Sequence, residues 1–159
     1  MIDRRADTGM TLREAAEADL PALARVHQLA FHPGWNAEEL ADVGSGPGVF
    51  GLLVEIDGAI PGMILARTVA EEAEILTLAV DPDARRGGIG RALVAAAVAL
   101  AGQRGALDIF LEVAIDNHPA LRLYDQAGFA QAGLRRGYYE RGNGLRVDAV
   151  VMRLDLRPL

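Results

Sequence analysis

A chain of 159 residues, 51% of them hydrophobic, carries enough apolar side chain for one domain with a real core. It has no cysteine, and all 16 basic residues are arginine, which excludes disulfides, thiolate metal sites, acyl-cysteine intermediates, Schiff bases and lysine-dependent phosphate loops. The net charge of −6 argues against a nucleic-acid surface, which needs a basic face, and suits a cationic partner such as an amine or a basic protein tail.

Residues 1–10, with Asp3, Arg4, Arg5 and Asp7, contain no apolar signal core and are expected as a loose tail, Met10 offering an alternative start. Residues 11–159 are expected to form a single domain. Thr11–Ala15 predicts a short strand, after which Asp19 caps a helix with Pro21 in its first turn, running to about Ala30. Asn36 caps a short second helix through Leu40. Val49–Ile56 and Ile60–Val69 are apolar runs joined by Asp57-Gly58, a strong hairpin signal. Glu74–Val80 is a further strand, and Gly90–Arg104 a helix that stops at Gly105. Asp108–Val113 is apolar enough for a strand buried on both faces. Asn117–Gln126 is a helix closed by Gly128, and Ala130–Arg135 and Val147–Leu154 are closing strands around a polar, glycine-containing loop. The order β-α-α-β-β-β-α-β-α-β-β describes a mixed α/β sheet. The longest apolar run, Leu93–Ala101, lies between Arg91 and Arg104 and is too short to cross a bilayer, so a cytoplasmic location is expected.

The segment Asp81-Pro82-Asp83-Ala84-Arg85-Arg86-Gly87-Gly88-Ile89-Gly90-Arg91-Ala92-Leu93 joins a strand to a helix. Glycines let backbone approach a ligand closely, and the free N–H groups and dipole of the helix start favour an anion such as pyrophosphate. Arg85, Arg86 and Arg91 add charge that reaches phosphate oxygens. Taken alone, the turn reads equally well as a glycine-rich connection with solvent arginines. A dinucleotide fold wants a glycine at Leu93 and the motif after the first strand. A triphosphate loop wants a lysine. Neither fits.

The turn resembles the Arg/Gln-x-x-Gly-x-Gly/Ala pattern of the GNAT acyltransferase superfamily. Leu76-Thr77-Leu78-Ala79-Val80-Asp81-Pro82 is similar to that family's bulged central strand. The likeness continues through Leu111-Glu112-Val113, Asn117, Leu123-Tyr124 and Ala127-Gly128-Phe129, and spans Leu12 to Leu154. Within the superfamily the chain resembles the RimI-type ribosomal-protein N-terminal acetyltransferases. The carriers are Leu111-Glu112-Val113, Tyr124 twelve residues beyond Glu112, and Leu134-Arg135-Arg136-Gly137-Tyr138-Tyr139. The resemblance implies a GNAT fold: a mixed, mostly antiparallel twisted sheet of about seven strands with about four helices, splayed between Glu74–Val80 and Asp108–Val113 to admit acetyl-CoA. It implies transfer of acetyl from acetyl-CoA to a primary amine, foremost the N-terminal α-amine of a protein, ribosomal proteins included. A small amine, polyamine or drug acceptor, a non-catalytic acyl-CoA-binding module, and a toxin acetylating aminoacyl-tRNA are the alternatives; the acidic balance disfavours the last.

Carried over by the same resemblance, Leu78, Ala79 and Val80 contact acetyl and pantetheine through backbone groups. Arg85, Arg86, Gly87, Gly88, Ile89, Gly90 and Arg91 bind pyrophosphate, Asn117 touches pantetheine, Glu112 is the general base and Tyr124 the general acid. Trp35, in Phe31-His32-Pro33-Gly34-Trp35, and Tyr138 and Tyr139 shape the acceptor groove. Each has a plainer reading beside it: Glu112 a strand-end carboxylate facing solvent, Asn117 a helix cap, Tyr124 a packing ring, the tyrosine pair cross-strand aromatics. In the functional reading, partial burial makes Glu112 able to take a proton from an ammonium, directly or through water. Asn117 and Tyr124, seven positions apart, share one helix face. A phenol can protonate a departing thiolate, and the Val80 N–H can hold an oxyanion. With no nucleophile suited to a covalent intermediate, direct attack of the amine on the thioester is the simplest route. His27, His32 and His118 lack metal-ligand spacing and are expected as surface or capping residues, and no metal is expected.

Overall fold

Among the described residues, period-two apolar patterning builds seven strands, and 3.6-period patterning builds four helices that cover the two faces of their sheet. The computed structural model describes residues 9–159. The strands are β1 (Met10–Glu14), β2 (Val49–Ile56), β3 (Ala59–Val69), β4 (Glu72–Val80), β5 (Asp108–Ala114), β6 (Ala130–Glu140) and β7 (Arg146–Asp155), in the order β1-β2-β3-β4-β5-β7-β6. The helices are α1 (Leu20–Ala30), α2 (Ala37–Gly44), α3 (Ile89–Gln103) and α4 (His118–Gln126). All neighbouring strands pair antiparallel except β4 and β5, which are parallel. This is the expected mixed, mostly antiparallel GNAT arrangement.

Local chemistry sets most boundaries. Asp57 (φ 50°) and Gly58 (φ 80°) are both left-handed, as a two-residue turn of this hand requires between β2 and β3. Asn36 caps α2 by accepting the Glu39 N–H at 2.8 Å, and α2 continues past the expected Leu40 to Gly44. Gly105 (φ 97°) and Gly128 (φ 97°) follow the ends of α3 and α4. Of the expected tail, residues 1–8 lie outside the described residues, and Met10 already belongs to β1, paired with Ile56.

Two expectations are corrected. Asp19 stands at the cap position of α1, but its carboxylate turns back instead of capping. It accepts from both terminal nitrogens of Arg13, at 2.8 and 2.9 Å, and from the Ala16 N–H at 2.7 Å. The Arg13 guanidinium and that N–H hold its carboxyl down at about 2. β5 is buried on one face only: Ile109, Leu111 and Val113 are buried, while Asp108, Phe110, Glu112 and Ala114 alternate with them on a half-open face.

The core has two compartments. Against α1 and α2 lie Leu53, Met63, Leu65 and Ala79. Against α3 and α4 lie Leu52, Val54, Ile64, Ala66, Ala73, Ile75, Ile109 and Leu111. The alternation of β4 changes side at Leu76, which has no partner on β3: Leu65 pairs with Thr77 and Ala66 with Ile75. This bulge carries Thr77 and Ala79 to the α1 side and Leu78 and Val80 to the α3 side.

Gly62 of β3 sits opposite Val80, directly beneath the start of α3. A Cβ there would meet Ile89 Cγ2 at 2.5 Å and Leu93 Cδ1 at 3.1 Å, and both side chains are buried. The first turn of α3 can therefore rest on β3 because Gly62 is bare. Gly62→Ala is expected to destabilise the domain by about 1–3 kcal/mol, the usual cost of overpacking, and to weaken acetyl-CoA binding by displacing that turn. Urea melts alongside calorimetric titration check both effects.

Candidate active site

β4 and β5 stay together for three residue pairs only, Glu72 with Asp108, Ala73 with Ile109 and Glu74 with Phe110. Beyond them β4 remains bonded to β3 as far as Val80, and β5 to β7 as far as Ala114. The sheet thus splays between Ile75–Val80 and Leu111–Ala114, leaving backbone groups on both lips of the gap without strand partners. Leu78, Ala79 and Val80 form one lip.

β4 ends in the glycine turn. The Asp81 N–H donates to the Pro61 carbonyl at 2.8 Å, and the Asp81 carboxylate accepts the Asp83 N–H at 3.0 Å, starting a short 3-10 turn over Pro82–Ala84. Gly88 (φ 77°) then reverses the chain into α3, with open space where its Cβ would be. The N–H groups of Gly88, Ile89, Gly90 and Arg91 find no acceptor among the described residues, the Ala92 N–H being the first one bonded, to the Gly88 carbonyl at 3.0 Å. Four outward N–H groups at a helix start, beside a bare backbone, form a cradle of the kind that suits an anion. Arg85 and Arg86 are exposed and form no ion pair among the described residues. Arg91 instead reaches α4, donating to Gln126 at 3.2 Å.

On the opposite lip, the Glu112 carboxylate lies past the point of parting, its side chain about one quarter exposed at 24%. It is partnered: the Arg135 guanidinium crosses β7 and donates to Oε1 at 2.6 Å. The same guanidinium lies over the Tyr138 ring at 4.4 Å. β6 carries a bulge here, with Arg136, Gly137 and Tyr138 opposite Asp148 alone. Gly137 (φ 60°) donates its N–H to the Asp148 carboxylate at 2.8 Å, fixing the bulge. Tyr139 then turns its hydroxyl toward the Glu112 carbonyl at 3.4 Å and is held above the ordinary tyrosine range, chiefly by burial and next by the Glu112 charge. Tyr138 and Tyr139 thus lie within the long strand β6, not in a loop before the last strand. Arg141 pairs with Asp116 at 2.6 Å, tying the β6–β7 hairpin to the segment after β5.

Tyr124 is buried against Phe129, ring centroids 5.7 Å apart. Burial pushes its hydroxyl far up, and Tyr139 adds to the effect. Thr68 Oγ1 is the one buried side-chain polar atom without a partner among the described residues. The Tyr124 hydroxyl, which bonds no described group, therefore keeps contact with solvent-accessible space. Such a phenol stays protonated across the neutral range. Asn117 caps α4 through its oxygen, which accepts from Ala120 at 3.3 Å, and its amide nitrogen has no protein partner among the described residues.

Trp35 lies on the α1 side of β4, with its ring 4.7 Å from that of His27. His27 is the correction here: expected at the surface, it is 3% exposed and hydrogen-bonded at both ring nitrogens. Its place on the face shared by Leu20, Leu23 and Ala24 was the available signal. Arg135, Asp148 and Gly62 act through partners distant in sequence and left no local one. Among the described residues, no three His, Asp or Glu side chains converge to hold a metal ion, and no helix is long and apolar enough to cross a membrane.

A family model, the GNAT acetyltransferase family, matches residues 17–129. The [ribosomal protein bS18]-alanine N-acetyltransferase of Escherichia coli K12 is 32% identical over 146 residues, covering 92% of this chain and 97% of that one. The crystal structure of the ribosomal-protein-S18-alanine N-acetyltransferase from Escherichia coli superposes with a TM-score of 0.86 at 31% identity, over 94% of this chain and 96% of that one. Ard1 from Thermoplasma volcanium superposes at 0.82 with 26% identity, over 94% and 99%.

Gly88→Glu places a charged side chain on left-handed backbone at the cradle. It is expected to raise the acetyl-CoA dissociation constant at least tenfold, about 1.4 kcal/mol, with the fold retained. Unchanged affinity by calorimetry would remove the turn from the site.

Proposed function

The chain belongs to the GNAT acetyltransferase family, an acetyl-CoA-dependent group, and from that premise we propose that it acetylates the N-terminal α-amine of a protein, a ribosomal protein being the foremost acceptor. One observation carries this reading: a single gap in the sheet has an anion cradle at its end, a carboxylate on one lip and a buried phenol beside it. The relatives' acceptor, an alanine of a ribosomal protein, and the likeness across nearly the whole chain support the choice of amine. A cytoplasmic setting accords with an acceptor made on the ribosome.

Acetyl-CoA supplies the thioester that the amine attacks. In this reading the N–H groups of Gly88, Ile89, Gly90 and Arg91 hold pyrophosphate, with Gly87 leaving room and Arg85 and Arg86 adding charge. The lip Leu78-Ala79-Val80 and the amide nitrogen of Asn117 border the pantetheine arm. Glu112 accepts the proton of the incoming ammonium, directly or through water, and Arg135 keeps the carboxylate in one orientation. An α-amine, with pKa near 8, is deprotonated more readily than a lysine side chain near 10. Tyr124, kept protonated by its burial, delivers its proton to the sulfur as the thiolate leaves, and the proton that the attacking nitrogen still has to lose restores the phenol through solvent. Trp35, Tyr138 and Tyr139 wall the acceptor entrance. A screen of peptides with varied first residues against a panel of small amines, scored by released coenzyme A, tests the proposal. Turnover of small amines alone would refute it.

Glu112→Gln retains size but cannot accept a proton at neutral pH. A positioned general base is worth roughly a hundred- to ten-thousandfold, and a loss of that order is expected at pH 7, recovering in part as pH rises and more acceptor arrives neutral. Steady-state rates across pH read this, and a near-wild-type rate at pH 7 would sink the assignment.

Tyr124→Phe keeps the ring packed and deletes the hydroxyl. Turnover of the saturated enzyme is expected to fall by about tenfold or more, with acetyl-CoA affinity nearly unchanged, because the proton is needed only as the thiolate departs. The opposite split would make Tyr124 a binding residue.

A further inference from the structure

His27 is the buried titratable side chain that the proposed reaction leaves unused. It occupies the inner face of α1 with Leu23 and Ala24, yet both its nitrogens have partners outside the helix. The Trp35 N–H donates to Nδ1 at 2.9 Å, so Nδ1 carries the lone pair and the ring proton sits on Nε2. Nε2 then donates to Thr77 Oγ1 at 3.0 Å. The ring lies between those of Phe31 and Trp35, stacked at 4.6 and 4.7 Å. Thr77 immediately follows the bulged Leu76 and precedes the Leu78-Ala79-Val80 lip. Gln28 adds a second tie, donating to the Trp35 carbonyl at 3.2 Å. Gly34 makes this close fold possible, since a Cβ there would collide with the Gln28 backbone.

We propose that His27 is a positioning residue: in its neutral Nε2–H form it fastens the Phe31–Trp35 wall of the acceptor entrance to the cofactor strand at Thr77. This rests on the reading of that loop as part of the acceptor entrance. The geometry gives the link a proton dependence. A second ring proton would turn Nδ1 from acceptor to donor, facing the Trp35 N–H donor, and the loop would be released. The rings of Phe31 and Trp35 and the Thr77 hydroxyl, which surround the imidazole, are uncharged. Glu39 of α2 is the charged group whose field reaches it, favouring protonation, while burial outweighs that and holds the group below 6.5. The sign follows: the ring stays neutral through the neutral range, and the link is lost only as pH falls through the lowered value that burial sets.

Trp35 is the chain's single tryptophan, so its fluorescence reports the link without any assay of activity. Wild-type protein is expected to show an emission change on acidification below pH 6.5, with far-ultraviolet dichroism unchanged. His27→Phe preserves the stack and removes both hydrogen bonds and the titration. It should abolish the acid transition and raise acceptor KM by about tenfold, the scale of two lost hydrogen bonds. Its kcat and acetyl-CoA dissociation constant should stay within about twofold by the same measure, and it should lack the extra acid limb of wild-type kcat/KM. Thr77→Val, which deletes only the outer acceptor, should shift KM the same way, and Thr77→Ser should restore it. Unchanged acceptor KM in folded His27→Phe and Thr77→Val would overturn the proposal and leave the acetyltransferase reading standing. If wild-type protein acetylates no peptide, the reading of the acceptor fails. The link is then judged by fluorescence alone: loss of the transition in His27→Phe upholds it, and its persistence overturns it.

Discussion

Backbone groups inside a sheet need partners, and β4 loses its partners on the β5 side after Glu74. The rest of the molecule is arranged around that one break. The bulge at Leu76 re-aims the strand just as it leaves β5, placing Thr77 toward α1 and Val80 toward α3. Gly62 lets α3 settle onto β3 where β4 runs out, so the free N–H groups of the helix start face the same opening. A gap of this kind persists because each lip is held from behind, β4 by β3 and β5 by β7. The opening is therefore a rigid slot.

The two ends of the slot use different electrostatics. At the cradle the protein offers backbone dipoles and two arginines without an ion pair among the described residues, suited to a multiply charged anion. At the Glu112 end the carboxylates beside the gap are partnered: Glu112 with Arg135, Asp116 with Arg141, and Asp148 with the Gly137 N–H. Tyr124 is buried against Phe129, with its proton held tightly.

Much of this was legible in the chain because it is local. Asp57-Gly58, Asn36, Gly105 and Gly128 announce turns and caps within a few residues, and the glycine run after a strand marks where the chain reverses into α3. What stayed hidden is pairwise and distant. Arg135 and Glu112 are brought together only by the order β5-β7-β6, which places a third strand between them. His27 gave no sign of being sealed between two aromatic rings, because their approach depends on a tight loop at Gly34. Asp108–Val113 misled through composition: a strand at the rim of a slot keeps one face open, however apolar its residues.

The irregularity of β6 has a second effect. An outermost strand of eleven residues exposes a long row of unpaired amides, which in a flat sheet would template the addition of another chain. Arg136, Gly137 and Tyr138 crowd opposite a single residue, twisting that row out of line, and Arg135 and Arg136 stand exposed along it. The kink that brings Tyr139 to Glu112 thus also interrupts the open edge of the sheet, making edge protection and local geometry properties of the same three residues.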